Sequence, residues 1–114
     1  MSEELIEQKL HQLRTVGAQY ADARGRVAEM EEWKKSQLSV LMKEYEVKGV
    51  RTTAAQERDA RADERYFQTI KALAAAVEAE EKLRWHVKSI ELSIEVWRTK
   101  QANQRSERQG YGRG

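Results

Sequence analysis

Val47-Lys48-Gly49-Val50-Arg51-Thr52-Thr53 is the one clear interruption in a chain otherwise suited to unbroken helix. Gly49 is placed as the residue just past a helix end, where glycine takes up a left-handed backbone at little cost. Lys48 beside it suits the negative end of a helix dipole. Thr53, with Gln56 three residues later, reads as a capping box opening a second helix. Breakers are scarce on both sides of this turn. The chain has no proline, and three of its six glycines fall within the last five residues. Proline and then glycine are the residues that most disfavour a helix interior. The sequence therefore predicts helix 1 over about residues 3–48, a turn over about 49–52 and helix 2 over about 53–104. At 1.5 Å per residue each arm would be roughly 70 Å long.

Working outward from the turn, the apolar residues recur every three or four positions. In helix 1 they are Ile6, Leu10, Leu13, Gly17, Tyr20 and Val27, followed by a slip of phase into Met30, Trp33, Leu38, Leu41 and Tyr45. Such a slip changes the heptad count without ending a helix. Gly17 and Gly25 each cost about 1 kcal/mol against alanine. They are either tolerated surface positions or places where a second backbone approaches closely. Helix 2 begins with an alanine- and charge-rich stretch, continues through Tyr66, Phe67, Ile70, Leu73 and Val77, and ends on Leu83, Val87, Ile90, Ile94 and Trp97. Folding about Val50 would set Leu13 against Val87, Leu10 against Ile90 and Ile6 against Ile94. It would also bring Trp33 to Phe67 or Ile70, and Val27 to the alanine run at Ala72–Ala76. Large side chains would then face small ones, as interdigitating layers require. The expected fold class is all-α, a long antiparallel two-helix hairpin of coiled-coil type. Each arm buries only one face, so a dimer forming a four-helix assembly is expected.

Composition narrows the function. Charged residues make up 35% and hydrophobic ones 39%, enough apolar surface for a seam between helices but not for a thick core. Cysteine is absent, which removes disulfides and thiolate metal sites and fits a reducing compartment. No apolar run approaches a membrane span, and Met1-Ser2-Glu3-Glu4 is no secretory leader, so the expected location is the cytoplasm, with no membrane partner. The net charge of +2 resides wholly in the last ten residues, where Arg105, Arg108 and Arg113 stand against Glu107.

Groups that could converge for catalysis are few. His11 and His86 are the only imidazoles, and the fold-back would bring them near each other, yet two ligands without a third make a weak metal site. They read more simply as surface residues flanking the seam. Gly110-Tyr111-Gly112-Arg113-Gly114 is glycine-rich but precedes no helix, so it is not a phosphate loop. The carboxylates at Glu31, Glu32, Glu78, Glu80 and Glu81 lie among cations on solvent faces. The sequence thus predicts no enzyme, no metal and no cofactor.

Two binding surfaces are candidates. Trp97 and Arg98, with Tyr66 and Phe67, would anchor a protein partner, since Trp and Arg dominate interface hot spots. The plainer alternative has Trp97 closing the seam near the start of helix 1. Tyr66 and Phe67 point about 100° apart, so only one of them can pack in the hairpin. The second surface is the C-terminal end: Lys100, Arg105, Arg108, Tyr111 and Arg113 could meet single-stranded nucleic acid, with arginine on phosphate and tyrosine stacked on a base. Residues 105–114 are otherwise a polar, glycine-bearing tail expected to be disordered.

The run Trp97-Arg98-Thr99, with Ala102, Asn103 and Arg105 after it, resembles small helical proteins from early regions of tailed bacteriophage genomes. So does Gly49-Val50-Arg51-Thr52-Thr53-Ala54-Ala55-Gln56-Glu57-Arg58 followed by Tyr66. Genes of such proteins often lie near recombination and single-strand annealing genes. The resemblance spans roughly residues 49–105 and carries no functional residues with it. It implies an accessory protein of phage type acting in the bacterial cytoplasm. The expected function is binding of a phage or host protein, as a recombination accessory or an inhibitor of a host factor. The alternatives are a nucleic-acid-binding accessory using the basic C-terminal end and a structural or assembly coiled coil.

Overall fold

The computed structural model describes residues 2–112, and it is helical almost throughout. The helices are α1 (Glu3–Val47, 45 residues), α2 (Thr53–Ala62, 10 residues) and α3 (Glu64–Gly112, 49 residues), with no strand among the described residues.

Each helix end has a local cause. Ser2 caps α1 by accepting the Leu5 amide on its hydroxyl at 3.3 Å, and Glu3 and Glu4 complement the positive end of the dipole. At the other end Gly49 takes φ 103°, the Gly49 amide donates to the Glu46 carbonyl and the Val50 amide donates to the Tyr45 carbonyl, each at 3.0 Å. This is the Schellman arrangement anticipated from Gly49. The next cap differs by one residue from the sequence reading. Thr52, not Thr53, accepts the Ala55 amide at 3.1 Å, and Gln56 turns inward, donating to the Val50 carbonyl at 2.8 Å. Gln56 is thereby buried and fastens the turn to α2.

The single helix expected from 53 to 104 is two. Asp63 adopts φ −68°, ψ 136°, so its backbone is extended where the helix should run on. Its amide still donates to the Ala60 carbonyl at 3.2 Å, while its carbonyl accepts the Tyr66 and Phe67 amides at 3.1 Å. One carboxylate oxygen accepts the Arg65 amide at 2.9 Å. Asp63 therefore ends α2 and caps α3 at once. Aspartate is prone to this because its side chain competes with helical carbonyls for nearby amides. The far end also differs: α3 continues to Gly112 instead of yielding to an irregular tail after residue 104. Residues 102–110 are all exposed, so helix-compatible Gln, Arg, Ser and Glu side chains carry this end with no packing. Arg113 and Gly114 lie outside the described residues.

The chain divides into two units: Ala21–Glu81, contiguous in sequence, and a two-segment unit made of residues 2–20 and 82–112. In the contiguous unit Leu41, Ala60 and Tyr66 form the buried centre, with Leu38, Met42 and Tyr45 against it. In the two-segment unit Val16, Ile90 and Ile94 are buried, with Leu13, Leu83 and Val87 packed on them.

The inward faces keep a stricter rhythm than the apolar residues alone suggest. In α1 a buried or half-buried residue recurs at every seventh position: Ile6, Leu13, Tyr20, Val27, Lys34 and Leu41. A second such series, Lys9, Val16, Ala23, Met30, Gln37 and Glu44, is interleaved, with Gln12, Gly17, Leu38, Met42 and Tyr45 half-buried beside them. The slip after Val27 does not occur. Lys34 and Gln37 occupy the heptad positions, and Gln37 Oε1 is buried without a hydrogen-bond partner. Trp33, assigned to the seam from sequence, is instead 53% exposed, as is its expected partner Phe67 at 51%. A methyl group added at Gly17 or Gly25 would meet nothing within 4 Å, so neither glycine marks a close approach.

Candidate functional site

In the two-segment unit, α3 turns Leu83, Val87, Ile90, Ile94 and Trp97 inward along one face. At 100° per residue, Trp85, Ser89, Leu92, Val96 and Thr99 fall on the nearly opposite face, again at spacings of four and three. This second series is apolar where it should be solvated: Trp85 is 60% exposed, Leu92 58% and Val96 53%. Isolated exposed apolar side chains are ordinary on any protein. Three of them in one row, with small Ser89 and Ser93 leaving a shallow groove beside Lys88, are not isolated.

The row is pre-shaped. The Arg84 guanidinium lies 5.7 Å and the Lys88 ammonium 5.5 Å from the Trp85 ring centroid, so cations flank the indole. Ser93 donates to the Ser89 carbonyl at 3.1 Å and Thr99 to the Glu95 carbonyl at 3.1 Å, which turns both hydroxyls back onto their own helix. What the row offers a neighbour is therefore methyl and ring surface. Charged Lys88 and Glu95 border it, and Glu95 also stands 3.7 Å from Arg98.

The convergent polar groups belong to the contiguous unit and surround the joint at Asp63. Its carboxylate accepts the Tyr45 hydroxyl at 2.8 Å and the Arg65 guanidinium at 3.1 Å. Arg65 also reaches Glu44 at 2.7 Å. The Arg65 side chain, then the Arg65 amide and the Tyr45 hydroxyl hold the Asp63 carboxyl well below the usual carboxylate range. The same contact pushes the Tyr45 hydroxyl up, and Arg65 is raised by Asp63 and Glu44. With its acceptor sites taken by Arg65 and Tyr45, the Asp63 carboxylate ties the start of α3 to α1. A depressed folded-state value adds stability at pH above the unfolded aspartate range and loses it as the pH falls below about 4. D63N keeps a capping side chain but loses the charge. Its melting temperature should lie below that of wild type at pH 7, and the gap should shrink towards pH 2. A gap unchanged across that range would remove Asp63 as a source of the acid sensitivity.

Of the residues singled out from sequence, Tyr66 is 4% exposed and belongs to the core, so it cannot anchor a partner. Trp97 is half-buried, on the same face of α3 as Ile90 and Ile94. Phe67 is exposed beside Lys71, whose ammonium lies 5.6 Å from the ring centroid, and Arg98 is exposed near Glu95. Lys100, Arg105 and Arg108 are exposed on the last turns of α3, while the Tyr111 side chain and Arg113 lie outside the described residues.

The chain matches no known protein family, no curated protein and no solved structure.

His86 Nε2 sits 3.4 Å from Gln12 Nε2, and His11 is exposed near Glu4, Glu7 and Gln8. No group of three His, Asp or Glu side chains comes together among the described residues, and no helix there is long and apolar enough to cross a membrane. Sequence reading missed Trp85, Leu92 and Val96. The signal that finds them is the second four-three series starting at Trp85, offset from the first by half a helix circumference.

Proposed function

We propose that this chain is a non-enzymatic interaction protein. It uses a helical hairpin as scaffold and binds a protein partner through the outward row of α3 centred on Leu92. The observation that carries this reading is the alignment of Trp85, Leu92 and Val96 at more than half exposure on the face opposite the packed one. The hairpin is supported within the contiguous unit, where Arg65 meets Glu44 while Ala76 and Ala79 lie by Ala23 and Arg26: rising numbers on α3 meet falling numbers on α1. We further propose, from the sequence resemblance alone, an accessory role in the bacterial cytoplasm, aiding recombination or restraining a host factor.

Leu92→Glu tests it. The position is exposed on the single chain, so helicity should change little, while capture of a phage or host protein on immobilised chain should fall at least tenfold. Equal capture by wild type and L92E would sink the reading.

A nucleic-acid-contacting end is the second reading, favoured by Arg105 and Arg108 standing exposed one turn apart on α3 with Lys100 before them. It requires oligonucleotide binding that weakens steeply with salt and disappears when residues 105–114 are removed.

A further inference from the structure

We propose that the occupant of the Trp85–Thr99 row is the same row on a second copy of the chain, running antiparallel; this rests on the reading of that row as a docking face. The heptad frame of the row puts Ser89 and Val96 at one seam position and Trp85, Leu92 and Thr99 at the other. In an antiparallel pair the two kinds of position alternate across the interface. With the two-fold axis between Ser89 and Leu92, Trp85 meets Val96 of the partner subunit and Leu92 meets Ser89 of the partner subunit. Both central layers then set a large side chain on a smaller one, and Ser89 gives Leu92 the room it needs. A parallel pair would put indole on indole and leave a hollow between two Ser89 residues.

Charge selects the same arrangement. Lys88 and Glu95 occupy equivalent flanking positions one heptad apart. Antiparallel alignment brings Lys88 to Glu95 of the partner subunit, and the two-fold axis repeats the pair. The row is therefore complementary to itself, as an isologous interface must be. Lys88 already lies over the Trp85 ring, so its ammonium stands at the edge of the row.

The test is sedimentation equilibrium of the full chain and its variants, with circular dichroism as a fold control. Wild type should be dimeric at micromolar concentration, and L92E monomeric with unchanged helicity. K88E or E95K alone replaces two attractions by two repulsions and should raise the dimer Kd roughly tenfold. Combining K88E with E95K restores opposite charges across an antiparallel seam and should return the Kd to within about threefold of wild type. In a parallel pair Glu95 would instead face Lys100 of the partner subunit. The E95K change would then set cation against cation, and the combination would give no rescue, which would overturn the orientation. A monomeric wild type overturns self-association outright. If such a monomer still loses lysate capture on L92E, the protein-binding reading survives without it. A dimer that captures nothing would leave the row as an assembly surface and remove the foreign partner.

Discussion

Replacing Leu41 by alanine should lower the stability of the contiguous unit by about 2–5 kcal/mol, more than any other truncation within it. Leu41 is 2% exposed and is the one large side chain fully buried among the described residues; it fills the space between Ala60, which is 0% exposed, and Tyr66. The neighbours have little means of closing the hole. Ala60 has no length to extend. Tyr66 lies beneath the Arg61 guanidinium, 6.0 Å from its ring centroid, and Tyr45 is held by its hydrogen bond to Asp63. L41M, nearly equal in volume, should cost less than about 1.5 kcal/mol. Urea denaturation of the two variants measures the contrast directly. Equal midpoints would mean that the centre of this unit lies elsewhere.

Ile90→Ala should have the second-largest effect, about 2–3 kcal/mol, and should act on the two-segment unit. Ile90 is 2% exposed between Val16 and Ile94, with Leu13, Leu83 and Val87 closing the cluster. The cost belongs in the lower half of the usual range because those three neighbours are only half-buried and can shift inward. Hydrogen exchange locates the damage. In I90A, amides of residues 2–20 and 82–98 should lose protection, whereas Leu41→Ala should expose amides within Ala21–Glu81. Loss spread evenly over both units in both variants would contradict this division of the core.

Helicity and the position of the turn were legible in the sequence because they depend on residues acting locally. The absence of proline, Gly49 with its positive φ, and the threonines after it act within a few residues of themselves. The seam was legible only where its positions were apolar. A search for apolar repeats steps around Lys34 and Gln37 and finds Trp33 instead, which produces a slip that the helix does not have. The break at Asp63 rests on a local cap that many helical aspartates do not form. The contacts that accompany it, Tyr45 to Asp63 and Glu44 to Arg65, come from α1, where no local pattern announces them. Among candidate binding residues, aromatic identity proved a poor guide. Tyr66 is core and Trp97 half-buried, while Trp85 became visible only when the α3 face opposite the seam was read as a series of its own. Exposure of Lys100, Arg105 and Arg108 followed directly from their polarity.

The division of the chain has a consequence in time. Ala21–Glu81 is one uninterrupted stretch, so everything its core needs has left the ribosome once residue 81 emerges. Residues 2–20 are made first, yet their partners begin only at residue 82. At typical synthesis rates they wait about 3–12 s with Leu13 and Val16 uncovered. Translation speed through Ala21–Glu81 therefore sets how long that apolar segment is offered to chaperones or to neighbouring nascent chains. Clustered slow codons in this stretch should lower soluble yield without altering the folded protein.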